Sequence, residues 1–166
     1  MLRSTFGKVY NAMNKRLEII AGFRSSLISQ IENLSVEQLN KIPVHFNNNI
    51  IWNLGHMLTV QQNMCYARAA LPFTVDEKFI SPFLPGGKPD NLFDSSTITA
   101  IKELLLSSIL QLDRDMNSDI FKSYSPSVMI PKVYGFEINN IDDAVSYLLY
   151  HDGLHAGQIL AMKRLV

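Results

Sequence analysis

Apolar residues recur every three or four positions along four long stretches of this chain, which is the spacing of one face of an α-helix. The first stretch is apolar at every such position except Arg24. Its positions are Tyr10, Met13, Leu17, Ile20, Arg24, Leu27, Ile31 and Leu34. Ser35 and Gln38 then form a capping-box pattern, which predicts a short helical turn before Pro43. We therefore predict one long amphipathic helix followed by one short turn.

The second long stretch begins at the asparagine run 47–49, because asparagine is among the best N-caps, and continues to about Leu71. Its apolar residues spread widely around the helix axis, which predicts burial on more than one side. A partner subunit is one surface that could cover the second side. The third stretch starts after Ser95 or Ser96 and continues with apolar positions through Met116.

The last stretch carries signals at both ends. Asn140 is a candidate cap, acidic residues occupy the first turn, and basic residues occupy the last turn, all favourable to the helix dipole. The predicted inward positions are Ile141, Ala144, Leu148, His151, His155, Gln158, Met162 and Leu165. Three of these eight positions are polar, so this helix is the first place to look for chemistry.

Two connections rich in proline or glycine separate these helices, over residues 72–94 and 117–139. We predict no regular structure in the second of them, apart from a possible extended piece at 128–130. No stretch of the sequence alternates between apolar and polar residues, as a strand with one face in solvent does. Four helices with two long connections predict an all-α four-helix bundle that forms a single domain over residues 1–166.

Composition narrows the functional classes. Fifteen basic residues balance fifteen acidic ones, so the chain lacks the positive field that attracts nucleic acid. No apolar run reaches the length of about eighteen residues that a membrane span needs, and charged residues interrupt the N-terminal region where a signal peptide would lie. We therefore expect no nucleic-acid partner, no membrane partner and a cytoplasmic location. A near-zero net charge also favours self-association, so we expect a homodimer.

His151 and His155 are four residues apart on the last helix, so their rings point within about 40° of each other and are separated by about 6 Å of rise. Two imidazoles in this arrangement can share one metal ion. Burying both on an apolar face is costly unless each finds a partner, and one ion satisfies both. The alternative is a pair of core histidines bonded to backbone groups or to Gln158.

A third ligand is needed, and His56 is the candidate because it lies in the middle of the second helix. His45 lies in a loop beside Pro43 and is left out. Cys65 follows His56 by nine residues, which turns it to the opposite side of that helix, so we expect a buried, inert thiol. Asp152 points about 100° away from His151, which favours three histidines over a two-histidine, one-carboxylate iron site.

Two short stretches carry a family resemblance. They are Trp52-Asn53-Leu54-Gly55-His56 in the second helix and the ten residues from Tyr150 to Ile159 in the last. With one histidine on the second helix and a pair on the last, the chain resembles the DinB-like superfamily, which includes the YfiT-type metal-dependent proteins.

This resemblance implies an up-down-down-up four-helix bundle, commonly dimeric, in which His56, His151 and His155 hold one divalent ion, typically zinc or nickel. Characterised relatives include S-transferases and isomerases that use a low-molecular-weight thiol such as bacillithiol or mycothiol. The corresponding hypothesis is a metal-dependent thiol S-transferase or isomerase acting on a small-molecule substrate. The two long connections would then form the mouth of its pocket.

Two alternatives stay open. A metal-dependent hydrolase would need a general base near the site, and Asp152 is the carboxylate next to it in sequence. A non-enzymatic metal-binding or interaction bundle would use the histidines for structure alone.

Overall fold

The computed structural model describes residues 13–166, and within this range it is helical with no strand. The all-α prediction is confirmed. The six α-helices of the described range are α1 (Lys15–Gln30), α2 (Val36–Asn40), α3 (Ile50–Gln61), α4 (Ser95–Asn117), α5 (Ile130–Tyr134) and α6 (Ile141–Met162). Helix α3 continues as a π-helical turn, Gln62–Tyr66, and a 3₁₀ turn, Ala67–Ala69. Of the apolar positions predicted for the first helix, Tyr10 lies outside the described residues.

Side-chain caps fix where the helices begin. The Asn49 side chain accepts a hydrogen bond from the backbone N–H of Trp52, and the Asn140 side chain accepts one from Asp143, so both predicted caps are confirmed. The predicted capping box between Ser35 and Gln38 is present in both directions. Helix α4 is capped by Asp94, one residue before the serines that the sequence favoured.

The four long helices form a ring in which α1 packs on α4, α4 on α3, α3 on α6, and α6 on α1. One core cluster joins the C-terminal halves of α1 and α6 to the N-terminal halves of α3 and α4. The other cluster joins the N-terminal halves of α1 and α6 to Val60, the π-helical turn and the C-terminal half of α4. Helices α1 and α6 therefore run one way and α3 and α4 the other, as an up-down-down-up bundle requires.

Every residue of α3 is buried, which confirms that this helix is covered on more than one side. The covering surface comes from the chain itself rather than from a second subunit. Phe83, in the 3₁₀ turn Ser81–Phe83 of the first long connection, packs against Gly55 so closely that a Cβ there would lie 2.5 Å from the Phe83 ring. Because Gly55 has no side chain, the first long connection can lie directly against α3.

Three expectations for the rest of the chain are wrong. Segment 117–139 contains helix α5. Pro131 lies in the first turn of this helix, and Gly135, whose φ is +78°, ends it. On α6, Gln158 is exposed while Asp152 and Ile159 are buried, because a 3.6-residue repeat drifts away from a strict three-four pattern over six turns, and Leu165 is exposed beyond the helix end at Met162. The first helix is also shorter than its apolar pattern, since it ends at Gln30.

A buried polar layer separates the two core clusters. Arg24 of α1 donates from Nε to Asp152 Oδ2 of α6 at 2.7 Å and from Nη1 to Gln61 Oε1 of α3 at 2.6 Å. The same Nη1 donates to the backbone oxygen of Leu105 on α4 at 3.1 Å, and Ser108 donates to Gln61 at 3.1 Å. Arg24 and Asp152 are each only 1% exposed. One guanidinium thus bonds to the three other long helices.

Within residues 13–166, none of the helices combines the length and the hydropathy needed to cross a membrane.

Replacing one partner of the buried ion pair should destabilise the fold strongly. In Asp152→Asn, the Arg24 guanidinium stays buried without its counter-charge, so we expect the free energy of unfolding to fall by about 3–5 kcal/mol. Urea denaturation followed by circular dichroism measures this change. Asp119→Asn is the matched control, because Asp119 pairs with Lys122 at the surface. Losing this exposed pair should change the free energy of unfolding by no more than the experimental error. Equal stability of the two variants would contradict the role given to the pair.

Candidate metal centre

Helices α3 and α6 bring together the three histidines that the sequence selected. One ring nitrogen from each of His56, His151 and His155 lies within 4.8 Å of the others. The ring centroids are 5.3 Å apart for His56 and His151, 4.9 Å for His56 and His155, and 4.4 Å for the pair on α6. His45 is exposed in the loop before α3, as expected.

Hydrogen bonds orient two of the three rings. His56 Nδ1 donates to the backbone oxygen of Phe83 at 2.7 Å, and His155 Nδ1 donates to Asn53 Oδ1 at 2.7 Å. The Asn53 amide cannot be turned the other way, because its Nδ2 already donates to the backbone oxygen of Asn49. Since both acceptors are carbonyl oxygens, each ring carries its proton on Nδ1 and keeps the Nε2 lone pair for a ligand.

The third ring has a buried nitrogen without a partner. His151 is 4% exposed, and its Nδ1 has no hydrogen bond to any group in residues 13–166. An unsatisfied buried polar atom costs about 1–3 kcal/mol, so such atoms are rare in folded proteins and call for a physical reason. A neutral imidazole has one N–H and one lone pair, and a divalent cation shared with His56 and His155 would give the lone pair of this ring a partner.

Burial also keeps the rings neutral. It lowers the pKa of His151 to about 2, with further lowering from the neighbouring His155, His56 and Arg24 charges. Burial lowers the pKa of His155 to about 4, helped by His56. The pKa of His56 is lowered for the same reason, opposed by its bond to Phe83. Neutral imidazole is the form that binds a metal, so protons do not compete for these nitrogens near pH 7.

The donor set fits a divalent transition metal. Imidazole nitrogen suits zinc and nickel, and three protein ligands leave a position open for another molecule. Bonds of about 2.0–2.1 Å place the nitrogens of a tetrahedral ion about 3.4 Å apart. Nitrogens that lie within 4.8 Å of one another would reach that value through ring movements of about an ångström. Trp52 stacks on His56 with centroids 4.7 Å apart and donates from Nε1 to the backbone oxygen of Pro82, so the 82–83 segment holds both rings.

A cavity of about 630 Å³ opens beside His56 and His151. Residues of both long connections line it, Pro85 from the first and several from the 125–134 segment of the second, as the sequence predicted for the pocket mouth. Its walls are mainly apolar. Its lining includes Val60, Met64, Arg68, Ile130, Tyr134 and Tyr147.

Two other candidate groups lie away from this cavity. Cys65 is fully buried, does not line the cavity, and burial raises its thiol pKa to about 12, so it is the inert thiol that its spacing from His56 predicted. The Asp152 carboxylate is bonded to Arg24 in the core through both oxygens and is also absent from the cavity wall. Its predicted role as a base at the site is therefore not supported.

A family comparison agrees with this arrangement. The family model described as the DinB superfamily matches residues 21–159, which is most of the chain and includes all three histidines. The chain belongs to the DinB superfamily. A search of curated proteins finds no significant match. Membership in the DinB superfamily and a histidine cluster with metal-site spacing both fit metal binding.

Sequence reasoning missed the groups that orient the rings. Asn53 stood in the motif that carried the DinB resemblance, but its partner His155 is 102 positions away on another helix. Phe83 acts through its backbone oxygen, which no sequence pattern reveals. A usable signal existed at Gly55, because a glycine inside a buried helix often marks the close approach of another segment.

We expect Asn53 to tune the site through His155. Asn53→Ala removes the acceptor that holds the ring, so zinc affinity should fall by about 10–100-fold, whereas Asn53→Asp keeps an acceptor for His155, loses the donor to Asn49 and should bind zinc more tightly than Asn53→Ala. Competition with a chromophoric chelator measures both constants. Asn63→Ala is the control, since Asn63 lies on the cavity wall without contacting a histidine by a hydrogen bond within the described chain. Wild-type affinity in Asn53→Ala would refute this orienting role.

The lowered pKa values predict how the metal-free protein responds to acid. Below the ordinary histidine pKa of about 6.5, the unfolded chain takes up protons that the folded chain refuses, so the free energy of unfolding falls as the pH falls. The loss is up to about 1.4 kcal/mol per pH unit for each ring and continues to about pH 4 for His155. Urea denaturation between pH 7.5 and 4.5 tests this. His151→Phe should reduce the slope. A flat wild-type profile would contradict the assignment.

Proposed function

We propose that His56, His151 and His155 bind one divalent ion, zinc or nickel, at the end of the cavity. The observation that carries the proposal is the convergence of three neutral imidazoles, one of them with an otherwise unpartnered buried nitrogen. The position that three ligands leave open would face the cavity, where a small molecule can reach it.

We further propose that this DinB-superfamily chain is a metal-dependent S-transferase or isomerase that uses a low-molecular-weight thiol. When bound, the ion would act as a Lewis acid that lowers the pKa of the thiol. Uncharged ligands leave the ion's double positive charge uncompensated, which favours an anionic sulfur as its fourth partner. The thiol has to come from a cofactor, because Cys65 is buried and its pKa is raised.

The chain's own residues would bind and orient the reactants. His56 and His151 border the cavity, and the Asn53 and Phe83 oxygens keep two ring nitrogens pointed at a common centre. The apolar wall excludes water from the thiolate, which makes it a stronger nucleophile toward a small electrophilic substrate.

Hydrolysis by a metal-bound water is the weaker proposal. It needs a base at the open position, and the described cavity wall includes no carboxylate, while Asp152 is committed to Arg24. A non-enzymatic metal-binding bundle needs only the three histidines and is an outcome of the experiment below.

We also keep the homodimer as a proposal. The neutral charge balance supports it, whereas the covering of α3 by the chain's own first connection removes the other reason for expecting a partner there. Light scattering at high micromolar concentration measures the mass that decides it.

Cobalt substitution tests the thiol proposal. Cobalt(II) reports its ligands through absorption bands, so titration with a panel of small thiols should produce a new sulfur-to-cobalt charge-transfer band in the near ultraviolet. Small alcohols of the same size are the controls and should produce none. Stoichiometric cobalt without such a band for any thiol would refute the transferase proposal, and the hydrolase and the non-enzymatic bundle would then remain.

A further inference from the structure

Arg68 is the charged side chain in the wall of the cavity. Apart from the two histidines, the lining residues that the structure describes include no other basic side chain and no carboxylate. Arg68 lies on the 3₁₀ turn Ala67–Ala69 that ends the α3 segment, and its side chain is half-buried. A positive charge in a mainly apolar wall attracts an anion more strongly than the same charge at an open surface.

The guanidinium is held in place but is not neutralised. Arg68 Nη1 donates to the backbone oxygen of Pro126 at 3.1 Å and to that of Ser125 at 3.4 Å. The Ser125 N–H donates back to the Arg68 oxygen at 2.7 Å. Among residues 13–166, no carboxylate forms an ion pair with Arg68, and its Nε and Nη2 donate to no protein group. Three of its five N–H groups are therefore available in a pre-oriented fork, the geometry that binds carboxylates.

Arg68 and two of the clustered histidines, His56 and His151, line the same cavity. Arg68 follows His56 by twelve residues on one continuous helical segment, which corresponds to about 18 Å along its axis. Between them the wall is mainly apolar, with Val60 and Met64 from the α3 segment and Ile130 from α5, and Asn63 is a polar member. The cavity wall thus includes a cation and, about three helical turns away, the candidate metal site, with mainly apolar residues between them.

We propose that Arg68 binds a carboxylate at the far end of the substrate or thiol, so that the ligand of this cavity is an elongated molecule with an anionic end and an apolar middle. The reacting end would lie beside the histidines, and this part of the inference rests on the function proposed above. Arg68 is then a specificity-determining residue that sets the orientation of the ligand.

The alternative role for Arg68 is structural. Its two backbone bonds tie segment 125–126 to the end of the α3 segment, and this could be its whole purpose. The two roles differ in what the loss of Arg68 does. If the loss of Arg68 loosens the wall, the binding of every apolar ligand should weaken alike. If it removes an anion partner, only the binding of the carboxylate should weaken.

The experiment uses the full chain freed of metal by chelation, so that an ion at the histidines cannot bind the probe. Octanoate and octan-1-ol are titrated by calorimetry, because they share one chain length and differ in charge. We expect octanoate to bind at least about tenfold more tightly than octan-1-ol. Arg68→Gln should remove this preference and leave octan-1-ol binding unchanged. Arg114→Gln, which removes an exposed arginine of α4 away from the cavity wall, should keep it.

Two results would overturn the proposal: equal binding of octanoate and octan-1-ol by the wild type, or an octanoate preference that survives in Arg68→Gln. If Arg68→Gln weakens the binding of octanoate and octan-1-ol to the same extent, the role of Arg68 is structural and the proposal is refuted. Zinc titration of the same proteins separates this inference from the proposed function. Octanoate preference without zinc binding would refute the metal site alone, and zinc binding without the preference would refute the Arg68 subsite alone.

Discussion

The buried ion pair between Arg24 and Asp152 is the constraint on which the rest of the bundle depends. A charge in the core must be paired, and this pair is complete only when α1 and α6 adopt one rotation and one height relative to each other. The other bonds of the guanidinium reach α3 and α4, so the same condition fixes all four long helices. Apolar packing alone would tolerate several registers.

This constraint also orients the clustered histidines of α6. Asp152 follows His151 directly, so turning Asp152 into the core at Arg24 turns His151 about 100° around α6, toward the α3 side where His56 lies. His155 lies one turn further along the same side. The polar layer therefore orients the helices relative to each other, as the Asn53 and Phe83 oxygens orient individual histidine rings. Both act before any ligand arrives, which is the preorganisation that a binding site requires.

Local signals account for what could be predicted from the sequence. The caps at Asn49 and Asn140, and the box at Ser35, depend on residues within three positions of each other, so their pattern is visible in the chain. The histidine pair on α6 is local in the same sense. His56 could be added because a helical bundle brings middle positions of different helices together, and because it stands in the motif that resembles the DinB superfamily.

Long-range partners account for what could not be predicted. Arg24 looked like a break in an apolar pattern, since its partner Asp152 lies 128 positions later. The covering of α3 by Phe83 depends on the path of an irregular connection. The inward face of α6 was misjudged at Gln158, because Asp152 and Ile159 rather than strict three-four spacing set the rotation of that helix. In each case the deciding interaction joins distant parts of the chain.

Zinc affinity with and without His56 tests the central claim most directly, because His56 is the ligand that we propose α3 contributes to a site otherwise on α6. Competition with a chromophoric chelator would measure the stoichiometry and the dissociation constant for the wild type, His56→Ala and the exposed-loop control His45→Ala. We predict one zinc per wild-type chain, unchanged binding in His45→Ala, and an affinity at least about 100-fold lower in His56→Ala. Wild-type affinity in His56→Ala would remove α3 from the site and contradict the account.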